Sequence, residues 1–237
     1  MPAALVTGAA SGIGRATADR LRADGYDVLG VDLHDADHAA DLTTREGNAG
    51  AVGAALRAYG RLDVVVACAG IQHVAPVRDF PEDRWDQVVA ILLTSPFLLA
   101  KHAWDALEAS RGRFIAVASA HALVASPYKA AYVAAKHGVL GLVKTLALEG
   151  GEAGICATAV CPGYVRTPLV EGQLADQAAT HGMSEDEVLE NVILQPHAVK
   201  RLIEPEEVAG VIAFLAGPGG AAFSGVPVTM DLGWSAR

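Results

Sequence analysis

Among the polar side chains between residues 119 and 136, three are spaced to handle a proton together: Ser119, Tyr132 and Lys136. Tyr132 and Lys136 are four residues apart, so on a helix a phenol and an ammonium share one face. A free phenol titrates at about 10 and is a poor base at neutral pH, whereas a neighbouring cation favours the phenolate and lowers that value. Such a pair is a tunable acid and base, and Ser119 adds a third polar group. The same spacing also occurs on half-exposed helices that carry no chemistry, and the surrounding chain decides between the two.

Ser119 closes the apolar run 114–118, as a residue at the C-terminal end of a strand would, and ligands of open α/β sheets bind at those ends. Earlier, residues 3–6 are apolar and lead into Thr7-Gly8-Ala9-Ala10-Ser11-Gly12-Ile13-Gly14 and then a helical pattern. Strand, glycine turn and helix together cradle a pyrophosphate: the glycines let the backbone come close, and the helix N-terminus offers free N–H groups. The spacing departs from G-x-G-x-x-G, but its place directly after the first strand predicts a dinucleotide site. Residues 27–32 read as a second strand ending on Asp32, whose carboxylate would accept hydrogen bonds from a ribose 2′-OH and repel a 2′-phosphate. NAD is expected over NADP on that ground. A solvated aspartate among Asp35, Asp37 and Asp41 is the competing reading.

Helix, glycine and strand then alternate three more times, and a last helix and strand follow at 206–216 and 226–230. This punctuation predicts an α/β fold: one Rossmann-type doubly wound parallel sheet of about seven strands with helices on both faces, in a single domain over residues 1–237. Runs such as Val64-Val65-Val66 suit parallel strands buried on both faces. Residues 131–148 form a helix apolar nearly all round, which points to a subunit interface. From Pro168 to Arg201 a polar insertion rich in Gln, Glu and His reads either as a lid over the site or as a surface excursion.

Composition excludes several classes. With a net charge of −9 and no Lys/Arg cluster, the chain lacks the basic footprint that a nucleic acid needs, and an anionic substrate would require a local cation. Cys68, Cys156 and Cys161 form no CxxC pair and lie in or beside apolar runs, as reduced cysteines of a cytoplasmic protein do. The eight histidines show no metal-ligand spacing. No basic leader precedes the first strand, and the apolar run 88–93 is too short to span a membrane, so neither a metal nor a membrane is expected.

TGAASGIG at 7–14, Asp41-Leu42, CAG at 68–70, Ser119, YVAAK at 132–136 and PGYVRTP at 162–168 occur in one order, and on these the chain resembles the short-chain dehydrogenase/reductase family over its whole length. The resemblance implies hydride transfer between NAD and a carbinol carbon. Tyr132 would be the general base, Lys136 would lower its pKa and hold the nicotinamide ribose, and Ser119 would position the substrate oxygen. It implies cofactor contacts at Gly8, Ser11, Gly12, Ile13 and Gly14, at Asp41 and Leu42 beside the adenine, and at Ala69 and Gly70. Pro162, Gly163, Val165 and Thr167 would line the nicotinamide end. Residues 69–81, 118–126, 132–139, 161–173 and Gly233 to Arg237 are further similar to family members that interconvert D-3-hydroxybutyrate and acetoacetate. They imply a small hydroxy acid or keto acid substrate, its carboxylate held at Gln72, His121, Lys129 and Gln173, with Tyr164 as an apolar wall beside the methyl end, and a homotetramer.

The chain departs from the family at three places. Leu92 stands where an asparagine normally helps to hold a proton-relay water, Ala67-Cys68-Ala69-Gly70 replaces NNAG with loss of a sheet-stabilising amide, and Leu232 replaces a glycine. A leucine side chain makes no hydrogen bond. A dinucleotide-binding protein with decayed catalysis is therefore one competing expectation, and action on another small hydroxy acid or secondary alcohol is the second.

Overall fold

The structure is a computed structural model that describes residues 1–236, without the side chains of residues 175–177 and 179–181. The apolar runs form seven strands: β1 (Ala3–Thr7), β2 (Asp27–Asp32), β3 (His38–Ala39), β4 (Val64–Ala67), β5 (Arg113–Val117), β6 (Cys156–Pro162) and β7 (Pro227–Met230). They lie in one sheet in the order β3-β2-β1-β4-β5-β6-β7, and every pairing is parallel. Of these, β3 has two residues and is too short to leave an apolar signature in the sequence. Residues of β1, β4 and β6 are buried almost throughout, as parallel strands covered on both faces must be.

Helices cover both faces. On one, α1 (Gly12–Ala23) packs against α8 (Pro205–Ala216); on the other lie α2 (Arg45–Tyr59), α4 (Ser95–Ser110) and α5 (Ala130–Gly150). Each face has its own apolar layer, built around Leu5, Val65 and Phe114 on one side and Val6, Val66 and Ile115 on the other. From β1 the chain runs outward to β2 and β3, and α2 then carries it back to β4 on the far side of β1. The strand order reverses between β1 and β4, and the carboxyl ends of the strands there form the crevice where such sheets bind ligands.

The helical run before β5 is continuous: α3 (Glu82–Val89) passes through a π-helical turn, Ala90–Thr94, straight into α4. Pro96 lies inside this continuous run and removes one N–H donor from it, directly after the π turn that interrupts the regular α-helical ladder. By length and composition the 29-residue run Glu82–Ser110 could cross a membrane, but half of its apolar window is buried inside the protein, the position of a core helix.

The polar insertion is also ordered. Thr167 caps α6 (Pro168–His181) by accepting from the Val170 N–H, and Ser184 with Glu187 forms a capping box on the short α7 (Glu185–Val188). A second π turn, Leu189–Ile193, follows. Val170, Leu174, Val188, Ile193, Leu194 and Leu202 form a small apolar cluster of the insertion's own. A parallel bridge between Val165 and Ile203 closes its base.

Candidate active site

A cleft of about 400 Å³ runs along the carboxyl ends of the strands, and every residue expected to contact a cofactor lines it. At its floor the glycine turn has no room for side chains. A Cβ on Gly14 would stand 2.0 Å from the Gly8 carbonyl oxygen, and one on Gly12 would stand 2.9 Å from Thr167 Cγ2. Gly8 and Gly12 also hold left-handed φ values of 72° and 49°. Ser11 makes no side-chain cap at the start of α1 and no acidic residue occupies the first turn, so the N–H groups and the positive end of the helix dipole face the cleft unopposed. These features suit a dinucleotide pyrophosphate. Asp32, at the end of β2, accepts from the Ala10 N–H at 3.0 Å and from the Leu33 N–H at 2.8 Å, which ties the glycine turn to the edge of the sheet.

Further along the cleft, Ser119 follows β5 and caps a short 3-10 turn, its Oγ accepting from the His121 N–H at 3.1 Å. α5 brings Tyr132 and Lys136 to the same place on successive turns. Lys136 Nζ lies 5.5 Å from the centre of the Tyr132 ring and donates to the Val117 carbonyl at 2.7 Å. The expected electrostatics need correction. Burial pushes the Tyr132 phenol above its ordinary value, the hydrogen bond from Ser119 opposes this, and the Cys68 thiol adds a smaller rise. Burial also draws Lys136 down to about 8. In this state the desolvation of both groups outweighs any help the ammonium gives the phenolate.

Beside the trio a narrow cavity of about 50 Å³ contains all five residues expected to meet the substrate, together with Gly163, Leu169, Val170 and Trp234. Lys129, 4% exposed, immediately precedes α5. Its Nζ donates to Tyr164 Oη at 3.0 Å and to Gln173 Oε1 at 3.4 Å, and Gln173 Nε2 donates to Gln72 Oε1 at 2.8 Å. Burial lowers the Lys129 pKa to about 8. His121 is buried with Nε2 2.9 Å from Ser126 Oγ; desolvation, then the charges of Lys129 and His137, push it down to about 3, so its ring is neutral. Tyr164 is not a purely apolar wall, because its hydroxyl turns toward the lysine.

Trp234 is the site residue that chain spacing did not single out. Its indole stacks on Tyr164 with centroids 5.5 Å apart and planes 15° apart, and it meets His121 edge-on at 5.0 Å. Asp231 holds the turn that presents it, accepting from the N–H groups of Gly233 and Ser235 and from the Ser235 hydroxyl. A Gly-Trp pair just beyond the last strand was the available signal, since that end of the sheet also carries Ser119. Leu232, within this turn, adopts a left-handed φ of 53°, a conformation that costs a non-glycine residue about 1–2 kcal/mol.

The other departures resolve locally. The Thr7 hydroxyl accepts from the N–H groups of Cys68 and Ala69 at 2.9 and 3.1 Å, so the turn after β4 is tied to β1 without an amide side chain. Leu92 lies in the π turn, 2% exposed, within the apolar layer that α5 covers. Its Cδ2 would stand 2.9 Å from a Cβ on Gly70. All three cysteines are free, and no cluster of potential metal ligands occurs among the described residues.

Residues 8–235 match a family profile described as enoyl-(acyl carrier protein) reductase. A D-beta-hydroxybutyrate dehydrogenase of Rhizobium meliloti is 40% identical over 257 residues, covering 99% of this chain and 98% of that protein. One from Cupriavidus necator is 37% identical over 252 residues, covering 99% and 98%. The ligand-free aldohexose dehydrogenase of Thermoplasma acidophilum superposes with a TM-score of 0.93 at 28% identity, covering 100% of this chain and 94% of that one. With a parallel sheet that reverses order at β1, a glycine-lined cleft at that point, and a serine, tyrosine and lysine at its end, the chain belongs to the short-chain dehydrogenase/reductase family and is an oxidoreductase.

Proposed function

We propose that the enzyme interconverts D-3-hydroxybutyrate and acetoacetate with NAD as hydride carrier. Lys129 carries this reading. It is a buried ammonium in a cavity shared with Ser119 and Tyr132, and none of its hydrogen-bond partners among the described residues is a carboxylate. An unpaired buried cation costs several kcal/mol, and a substrate carboxylate would supply the missing charge. The narrowness of the cavity favours a short chain, and the names of the two bacterial relatives agree with a four-carbon hydroxy acid. Asp32 supports NAD, because a carboxylate at the end of β2 would repel a 2′-phosphate.

In this reading the glycine turn holds the pyrophosphate, Asp32 the adenosine ribose, and Lys136 the nicotinamide ribose. Bound NAD supplies the hydride acceptor and, when oxidised, a positive charge. Tyr132 takes the hydroxyl proton in oxidation and returns it in reduction, while Ser119 donates to the same oxygen. Exposed Phe97 on α4 and Leu148 on α5 support self-association, which we assign to a homotetramer, and the free thiols support a cytoplasmic setting. Sedimentation of the purified protein checks the tetramer.

Leu92 favours a second reading, a dinucleotide-binding protein that does not turn over. One assay separates the two: NADH formation from NAD with D- and with L-3-hydroxybutyrate, NADP in parallel, and Tyr132→Phe as the blank. Turnover with NAD and the D-isomer, lost in the variant, is expected. No turnover with either isomer despite NADH binding would favour the second reading, and equal use of NADP would remove the role given to Asp32.

A further inference from the structure

We infer that the Tyr164 hydroxyl is a direct donor to the substrate carboxylate, and that with Lys129 and Gln72 it forms a pocket of donors that separates a carboxylate from an isosteric carboxamide. This rests on the hydroxy-acid reading above and specifies how that acid is recognised. Lys129 has three N–H donors and no acceptor. One goes to Tyr164 Oη and one to Gln173 Oε1. With its oxygen held by the ammonium, Gln173 must present Nε2 to Gln72 Oε1. Gln72 is then left with its own Nε2, which is buried and has no partner. The cation thus sets the orientation of both amides, and the line of hydrogen bonds ends in a donor.

Tyr164 ends the same way on the other side of the lysine. Its oxygen accepts from Lys129, and burial raises its pKa to about 12, so the phenol keeps its proton. That O–H meets no acceptor among the described residues. Stacking on Trp234 at 5.5 Å and 15° fixes the ring, so the hydroxyl is aimed without loss of side-chain freedom on binding. The third N–H of Lys129, the phenol O–H and the Gln72 amide are three donors in one small cavity. A carboxylate accepts from all of them. A carboxamide turns an NH2 group against donors and leaves some of them unpaired, which weakens binding by about tenfold or more.

The test compares acetoacetate with 3-oxobutanamide as substrates for NADH oxidation by the wild type and by Tyr164→Phe, which keeps the stacked ring. KM and kcat are measured at about pH 6, where Lys129 is charged, and again at about pH 8. The wild type should favour the acid. In Tyr164→Phe the KM for acetoacetate should rise about tenfold at both pH values, with kcat little changed and a smaller rise in the KM for the amide. An unchanged acetoacetate KM would overturn the inference. So would a loss seen only at the higher pH, since that would assign Tyr164 to keeping Lys129 charged instead of to contact. A wild type that treats acid and amide alike would overturn the carboxylate reading itself, and this inference with it. Should turnover be too slow to follow, quenching of intrinsic fluorescence, with Trp234 against the cavity, gives the same comparison as dissociation constants.

Discussion

At Lys129 burial has drawn the ammonium from 10.5 to about 8, and that shift bears on both binding and stability. The charged form meets a carboxylate, so the KM for a hydroxy acid should rise as the pH passes above about 8, while a neutral secondary alcohol should show no such rise. For stability the sign is opposite to that of a salt-bridged lysine. The folded value lies below the unfolded one, so between about 8 and 10.5 the unfolded chain holds the proton more tightly, and stability increases with pH through that window. Below about 8 the full desolvation penalty is present. Lys129→Met should therefore raise the melting temperature at neutral pH by about 2–4 °C, with the gain shrinking as pH is raised toward 10, while the KM for the hydroxy acid increases steeply. Thermal scans at two pH values together with steady-state kinetics check both halves. A variant that melts lower than the wild type at neutral pH would show that the hydrogen bonds to Tyr164 and Gln173 outweigh the buried charge.

Among the elements, the glycine turn and the Tyr132–Lys136 face of α5 were legible in the sequence because each is local. Residue type and spacing over a few positions dictate the geometry. The lysine's effect on the phenol was not, because it depends on how deeply both groups are buried, and burial is set by packing from α3, the π turn and β6. Gln72 and Gln173 touch across 101 residues of chain, and no spacing rule joins them. Leu92 shows the same limit: as a letter it is a missing hydrogen bond, but in place it is part of the core in a π turn, a distortion frequent at functional sites. Leu92→Asn should put an unpartnered amide into that core and remove apolar volume, lowering stability by roughly 2–4 kcal/mol without raising turnover. Urea midpoints and kcat test this. A clear gain in turnover would mean that the natural chain lacks a proton route that the asparagine restores.

For the whole molecule, the sheet fixes the cofactor cleft and leaves the substrate cavity to be completed from outside it. β1, β4, β5 and β6 bring the glycine turn, Gly70, Ser119 and Gly163 to one edge, whereas Gln173, Leu169 and Val170 come from α6 and Trp234 from beyond β7. α6 therefore belongs both to the small cluster of the insertion and to the wall of the site, and its base is held by the bridge of Val165 to Ile203 and by the Leu232 carbonyl, which accepts from Ala198 and Val199. A unit with its own small core, joined to the sheet at its base and carrying a glutamine of the site, is what the lid reading of the insertion requires, and we propose that it moves as a piece. Ligand contacts to Gln173 and Lys129 would couple its position to the occupancy of the cavity. Amide hydrogen exchange across residues 168–201 should slow when NADH and acetoacetate are present together and change little with NADH alone, while β4 to β6 stay equally protected throughout. Equal protection of the insertion with and without the keto acid would leave it a fixed wall, with closure playing no part in binding.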